Sequence, residues 1–419
     1  MVLLWKTIHI QFIQKIIKLF YYNMTVCIAG KNEMAIDIAY YIKYNCPNIK
    51  LLGIVNEDDK GVNGYFRSYK WFLNFENIDL CTLDDIYKID NLLFLSLEFD
   101  KLVNPDKFLT KKIYNLHFSL LPAYKGMFTS AWPILRFEKY TGVTLHEIDK
   151  GIDTGNIITQ EKIYLDCNES AKSLHKKYMD LGTLLVKNNL KNLIENTVSS
   201  YPQTALGSTY FSKKSIDYQN LNVKLNVTAC ELDVQIRAFT YREYQVASVF
   251  ENKIIRSSIT NQKSNCRAGK IVSENENSLV ISTIDFDVIL YKDRFSEFID
   301  ACKSNNLKLV QQLFDEAYLE DRTKQGWTPL IVSCYNNSIE TAAYLLGLGA
   351  DFNAVNNNGT TVLMYAKSAV RITNKYDILD LILSYKPDIH IKDYSGKDVF
   401  YYLKSESIEV ANFIKNYNI

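Results

Sequence analysis

The run Asn91-Leu-Leu-Phe-Leu-Ser-Leu97 constrains the fold of this 419-residue chain more than any other stretch. It is continuously apolar, with no polar alternation, so a strand here must be buried on both faces. Such strands belong to parallel sheets covered by helices on each side. The flanking sequence supplies the rest of that pattern. Thr25–Ala29 reads as a strand, Gly30 as a turn, Glu33–Tyr44 as a helix, and Ile49–Val55 and Ile113–Phe118 as further strands. Strands alternating with helices predict a doubly wound α/β sheet with its site at the carboxyl ends of the strands. The first turn has one glycine and no G-x-G-x-x-G, so no dinucleotide is inferred.

The last of these strands runs into Asn115-Leu-His-Phe-Ser-Leu-Leu-Pro-Ala-Tyr-Lys-Gly126. Asn115 and His117 are two residues apart, so on an extended backbone their side chains share a face. An amide donor and an imidazole there suit acyl transfer, the first holding an oxyanion and the second taking a proton. Pro122 ends the strand and Gly126 permits a sharp turn. Met127–Phe137 reads as a helix whose amino terminus, with Thr129 near its start, would face a diphosphate. Val143–Ile148 and Asn156–Leu165 read as strands, and Asn168–Asn196 as a long amphipathic helix.

Residues 201–295 change character to short β-like runs with one helix, a small β-rich domain. Beyond it the sequence repeats. Gly326-Trp-Thr-Pro-Leu330 aligns with Gly359-Thr-Thr-Val-Leu363 at an offset of 33, and a weaker copy starts at Gly396. That period with Thr-Pro-Leu is the signature of ankyrin repeats, with Phe298–Glu316 as a first, capping copy. The expected division is therefore 24–200 for a catalytic domain, 201–295 for the β-rich domain and 296–419 for the repeats. Residues 1–23 are expected to be a non-native or disordered extension, with translation starting at Met24. An amphipathic surface helix is the alternative.

The formal net charge is +1, from 48 basic and 47 acidic side chains. A protein that grips long nucleic acid shows a basic excess, so a tRNA-sized partner is disfavoured. The eight cysteines form no C-x-x-C pair and no histidine stands at zinc-ligand spacing from them. They read as free thiols in a reducing cytoplasm, and no metal is expected. No run reaches the ~18 uninterrupted apolar residues of a membrane span.

The stretch from Asn115 resembles the Asn-x-His-x-Ser-x-Leu-Pro signature of the folate-dependent formyltransferases. Gly142-Val-Thr-Leu-His-Glu-Ile-Asp-Lys-Gly-Ile-Asp-Thr-Gly155 resembles the second half of that signature, in the expected order. The resemblance covers about residues 25–250. It implies a Rossmann-like formyltransferase domain and 10-formyltetrahydrofolate as the formyl donor. Asn115, His117 and Asp153 would be the catalytic set, with Asp153 orienting the imidazole. Ser96, Leu97, Glu98, Leu120, Leu121 and Asp153 would lie against the folate. Arg237-Ala-Phe-Thr-Tyr-Arg-Glu-Tyr-Gln245 resembles the nucleotide-sugar branch of the family rather than the tRNA-directed one. Tyr124, Lys125, Gly126, Thr129, Arg237 and Tyr244 are then the candidates for contacts with the amine substrate, Arg237 on phosphate and Tyr244 on a base. Trp327 in the repeats is a further candidate for stacking on thymine.

Formyltransferases with an ankyrin tail resemble those acting on dTDP-amino-deoxy sugars. The implied substrate is dTDP-3-amino-3,6-dideoxy-D-glucose, with the 4-amino-4,6-dideoxy isomer as the alternative and lipopolysaccharide O-antigen as the destination. A homodimer is the family's common state. The competing expectations are formylation of methionyl-tRNA and, from another class, an inactive ankyrin scaffold. His146 is expected near the site, and His9, His175 and His390 at the surface or in structural roles.

Overall fold

A computed structural model describes residues 24–219, 221 and 223–417. The expectations for residues 1–23, including His9, fall outside them. The chain divides into two compact units. The first holds 24–62, 68–272 and 280–289; the second holds 63–67, 273–279 and 290–417.

The first unit is built on a seven-stranded sheet. Its strands are β1 (Thr25–Gly30), β2 (Lys50–Val55), β3 (Asp79–Leu80), β4 (Leu92–Leu97), β5 (Ile113–His117), β7 (Tyr140–Glu147) and β8 (Ile157–Tyr164). They lie in the order β3-β2-β1-β4-β5-β7-β8. Strands β1 to β5 pair in parallel, and β7 and β8 continue the sheet antiparallel. The apolar run forms β4, and all six of its residues are buried. The doubly wound α/β expectation holds, with an antiparallel extension that the Asp-Thr-Gly turn makes possible between β7 and β8.

Helix α1 (Asn32–Asn45) packs Met34, Ala35, Ile38, Ala39 and Ile42 inward at helical spacing. Helix α2 (Tyr69–Phe75) starts at Ser68, whose hydroxyl accepts from the Trp71 N–H. The predicted long helix is α4 (Ala171–Glu195). A capping box at Ser170 starts it and left-handed Asn196 stops it. The expected helix Met127–Phe137 is reduced to α3 (Trp132–Leu135). Phe128 takes a positive φ of 61°, and Pro133 brings no N–H, so the preceding residues turn instead of coiling.

Strands β6 (Lys125–Gly126) and β9 (Tyr210–Phe211) form a two-stranded parallel ribbon. Helix α5 (Ala229–Phe239), capped by a Thr228–Glu231 box, precedes a five-stranded sheet. Its strands are β10 (Ala247–Val249), β11 (Asn252–Ile259), β12 (Ile271–Glu274), β13 (Ser278–Ser282) and β14 (Asp287–Lys292). They lie in the order β10-β11-β14-β13-β12.

The second unit stacks helix pairs. These are α6 (Phe295–Lys303) with α7 (Leu307–Leu313), α8 (Pro329–Tyr335) with α9 (Ile339–Gly347), and α10 (Val362–Thr373) with α11 (Asp377–Ser384). A last pair, α12 (Val399–Glu406) and α13 (Ile408–Asn416), closes the stack. Thr328 and Thr361, 33 residues apart, each cap the first helix of a pair by accepting from the N–H three residues on. The repeat in sequence is thus a repeat of one capping interaction and one apolar layer.

Candidate active site

Register places the site. Ser96 on β4 pairs with Asn115 on β5, and Asn115 pairs with His146 on β7. Three polar side chains therefore meet across neighbouring strands where the sheet turns from parallel to antiparallel. Asp153 arrives from the β7–β8 turn with a positive φ of 54°. Gly155 must be glycine there, because a Cβ would lie 1.8 Å from the Glu147 carbonyl oxygen.

Asp153 is the hub. Its Oδ2 accepts from the Gly126 N–H at 2.8 Å and lies 3.4 Å from His117 Nδ1. Its Oδ1 accepts from Asn115 Nδ2 at 3.3 Å and lies 3.6 Å from His146 Nε2. Burial pushes this carboxyl up. The neighbouring His117, then His146 and the Gly126 N–H, outweigh that and hold it well below the usual carboxylate range.

The imidazoles are fixed by their second nitrogens. His117 Nε2 donates to the Tyr124 carbonyl at 2.8 Å, which leaves Nδ1 facing Asp153. His146 Nδ1 donates to the Glu147 carbonyl at 2.7 Å, so its Nε2 accepts from Asn115 Nδ2 at 3.1 Å. Both rings are buried. His146 is a member of the constellation that the Asn-x-His pattern does not name. Its signal is the strand alternation of Val143–Glu147, readable only once β7 is set beside β5.

The loop after β5 is pinned from behind. The Thr144 hydroxyl donates to the Ser119 carbonyl at 2.6 Å and accepts from the Leu121 N–H at 3.2 Å. Gln160 Nε2 donates to the Leu121 carbonyl at 2.9 Å. The Leu121–Pro122 peptide is cis. Gly126 has φ 87°, and a Cβ there would meet the Phe211 carbonyl oxygen at 2.2 Å.

The other predicted site residues divide. Ser96 and Leu97 are buried at the end of β4, and Leu121 is buried beside the less covered Leu120. Glu98 follows Leu97 with φ 57°, its carbonyl accepting from Asn56 Nδ2 at 2.9 Å. One Glu98 carboxylate oxygen accepts from His175 Nε2 at 3.1 Å; the other is buried without a partner. Burial raises this carboxyl, but the His175 hydrogen bond and the charges of His175 and Lys31 hold it below its ordinary value. His175 is therefore not a surface histidine. Its Nδ1 accepts from the Tyr241 hydroxyl at 3.2 Å, and its ring meets Phe118 edge-on.

Three substrate candidates are engaged within the fold. The Tyr124 side chain is buried, stacks on Phe211 and donates its hydroxyl to Glu138, and burial and Glu138 together push that hydroxyl's pKa up. Arg237 donates Nε to Asp233 at 2.8 Å and Nη1 to the Glu169 carbonyl at 2.7 Å, a brace inside the fold where a phosphate contact was expected. Trp327 packs on Tyr335 and Tyr365 within the repeats, at centroid distances of 5.0 and 4.9 Å, rather than standing exposed. Lys125 and Gly126 line the β6–β9 ribbon, and the Thr129 carbonyl accepts from the Tyr178 hydroxyl at 3.1 Å. Tyr244 is half-exposed, edge-on to Tyr241 and 5.7 Å from the Lys31 ammonium. Asp149 braces its own loop, accepting from the Gly151 N–H and the Thr154 hydroxyl.

This geometry defines an acyl-transfer site on a doubly wound sheet: an amide donor, an imidazole and a buried carboxylate within one hydrogen-bonded cluster. Comparison with known proteins agrees. A formyl transferase family model matches residues 99–190, and an ankyrin-repeat model of three copies matches 298–393. WlaRD, a sugar 3N-formyl transferase crystallised in the presence of dTDP and 5-N-formyl-THF, is 38% identical. The match covers 65% of this chain and 98% of that one, with a TM-score of 0.59. An N-formyltransferase from Helicobacter canadensis, in complex with folinic acid and dTDP-3-aminofucose, is 39% identical. That match covers 64% of this chain and all of the other, again with a TM-score of 0.59. Methionyl-tRNA formyltransferase from Lachnospira eligens is 29% identical over 175 residues, 40% of this chain. The chain spans about half the length of the curated relatives it matches, 55% in that case. The chain belongs to the formyltransferase family, with ankyrin repeats joined to the formyltransferase domain.

Proposed function

We propose that this protein is an N-formyltransferase that moves a formyl group from 10-formyltetrahydrofolate to the amine of a dTDP-linked amino-dideoxy sugar. The observation that carries the reading is the Asn115–His117–Asp153 cluster, closed by His146. The likeness to two sugar N-formyltransferases over nearly their whole length supports the substrate class.

The residues present suit a formyl-folate. The buried end of β4 offers apolar cover from Leu97 beside the unpartnered Glu98 carboxylate oxygen, an acceptor for the N–H donors of a heterocycle. Ser96, Leu97, Glu98, Leu120 and Leu121 would hold that group. Bound there, it supplies an activated formyl carbon to the amine. Attack on that carbon would put negative charge on the formyl oxygen, and Asn115 Nδ2 would be the donor for it. Its N–H contacts in the structure are to His146 at 3.1 Å and to Asp153 at 3.3 Å. The proton from the attacking amine would go to His117 Nδ1, since the Tyr124 carbonyl occupies Nε2, and would be returned to the carrier nitrogen as its bond to the formyl carbon breaks. Asp153 holds that proton by charge and stays ionised throughout, because its pKa is depressed.

The 3-amino-3,6-dideoxy-D-glucose derivative is the first substrate to offer and its 4-amino-4,6-dideoxy isomer the second, with O-antigen synthesis in the cytoplasm by a homodimer as the setting. Free cysteines are consistent with that compartment, and among the described residues no helix is long and apolar enough to cross a membrane. Among them, too, no group of three His, Cys, Asp or Glu is arranged to hold a metal ion. Lys125, Gly126, Thr129 and Tyr244 are kept as substrate contacts. Each of the side chains is to be tested by alanine substitution and substrate titration.

The deciding experiment mixes the full chain with 10-formyltetrahydrofolate and each dTDP-amino sugar and follows product mass. Formylation of one isomer establishes the reaction and its regiochemistry. No product from either, with formylation of methionyl-tRNA instead, would overturn the sugar reading.

A further inference from the structure

Both halves of the site are tied to one later stretch of chain that no catalytic motif includes. Residues 200–211 leave α4 and run past the catalytic cluster before the β-rich region. Tyr201 makes a two-way backbone bridge with Ile157 at the start of β8, with N–O distances of 2.8 and 2.9 Å. Two residues on, Gln203 Nε2 donates to the carbonyls of Asp153 and Gly155, each at 2.8 Å. Its Oε1 is buried without a partner. A flipped amide would set that oxygen against two carbonyls, so the side chain serves through its N–H groups.

Further along, the same stretch takes hold of the other half. The Thr209 hydroxyl accepts from the Tyr124 N–H at 2.7 Å, and the Thr209 carbonyl accepts from the Lys125 N–H at 3.0 Å. Phe211 then pairs with Gly126. Tyr124 carries the carbonyl that fixes His117, and Gly126 carries the N–H that holds Asp153. The left-handed backbone of Asp153 and Tyr124 is strained and persists only if its surroundings hold it.

We propose that Gln203, with Thr209, is a positioning residue for formyl transfer: residues 200–211 form a strap that sets the register between the Asp153 turn and the His117–Tyr124–Gly126 loop. This rests on the formyltransferase reading above. The strap acts on the reaction through Asp153, whose titratable neighbours are His117 on β5 and His146 on β7.

The test is Gln203→Leu in the full chain, with Thr209→Val as a second variant should the first fail to fold. Leu206→Ala, at the strap's exposed tip, is the control. Two readouts are taken. The first is kcat and KM with 10-formyltetrahydrofolate and the accepted amino sugar. Loss of positioning lowers kcat by roughly 10- to 100-fold and leaves KM within about threefold. The second is the 13C titration of the Asp153 carboxyl, whose midpoint rises when the turn is released. Either readout staying at its parental value in the folded variants overturns the proposal. If the parent itself formylates no amino sugar, the earlier reading has failed and the titration alone decides whether the strap sets Asp153.

Discussion

The two units use unusual backbone and buried polar groups for different ends. In the ankyrin unit, the positive-φ residues at the repeat turns are Gly326, Gly359 and Gly396, and those at helix ends include Asn305, Asn337 and Asn374. These are the residue types that adopt this conformation at least cost. Its buried polar side chains Thr328 and Thr361 do the same capping job one repeat apart. In the catalytic unit, Glu98, Tyr124 and Asp153 take the same left-handed conformation although they are poorly suited to it. Each holds a group in or beside the site: a half-satisfied carboxylate, the carbonyl that fixes His117, and the carboxylate that joins two imidazoles. At most of its turns and helix ends the ankyrin unit uses glycine and asparagine, with Lys386 after α11 as an exception. At Glu98 and Asp153, where chemistry is needed, the chain keeps the functional side chain and surrounds it with hydrogen bonds.

Substitution at Asp153 is the strongest test of that contrast. Asp153→Asn keeps the shape but removes the charge that holds a proton on His117. It should lower kcat by roughly 10³-fold, about 4 kcal/mol of transition-state stabilisation. Steady-state kinetics checks this, and a fall below tenfold would place the chemistry elsewhere. The stability effect has a definite sign. Because the folded carboxyl lies below its unfolded value of ~3.9, its stabilisation is present above that pH and lost as pH falls toward the folded pKa. Asp153→Asn should therefore flatten the acid end of the stability curve and change little near neutrality in its slope with pH.

Next in size is a core deletion in the repeats. Ile378 on α11 is fully buried, and Ile378→Ala should cost about 2–5 kcal/mol of stability in denaturant unfolding. Turnover per folded molecule should stay within about twofold. A loss of kcat matching the loss of stability would break the division between a unit for shape and a unit for chemistry.

Much of this was legible in the sequence because it is local. Strand β4 and its neighbours fall within a residue or two of their apolar runs, and Asn115 and His117 share a face by alternation alone. The repeat announced itself through Gly326 and Gly359. What the sequence leaves open is the partner of each residue, which depends on distant pairing. His146 joins Asn115 only through the β5–β7 register, 31 residues apart. His175 takes the structural role that was one of its two expected places, but its partner Glu98 lies 77 residues away and nothing in its own helix names it. Gln203 reaches Asp153 across 50 residues from a stretch with no pattern at all. The expected helix at Met127 failed for a local reason, the left-handed Phe128, which apolar spacing does not reveal.

The finest test sets two equivalent positions against each other. Thr328 and Thr361 make the same N-cap, accepting from the Ile331 and Met364 N–H groups at 3.3 and 3.1 Å, and both are buried. If the repeats are a sum of like units, Thr328→Ala and Thr361→Ala should each cost about 1 kcal/mol in denaturant unfolding, and the double variant about twice that. The two sites do differ in one respect. Helix α10 begins with Val362, whereas α8 begins with Pro329, whose fixed φ already suits a first helical turn. That preorganisation predicts the smaller loss at Thr328. Equal losses would mean that the cap hydrogen bond alone sets the helix start. A larger loss at Thr328 would mean that the cost of leaving the Ile331 N–H unpaired in a buried place, rather than helix initiation, governs the outcome.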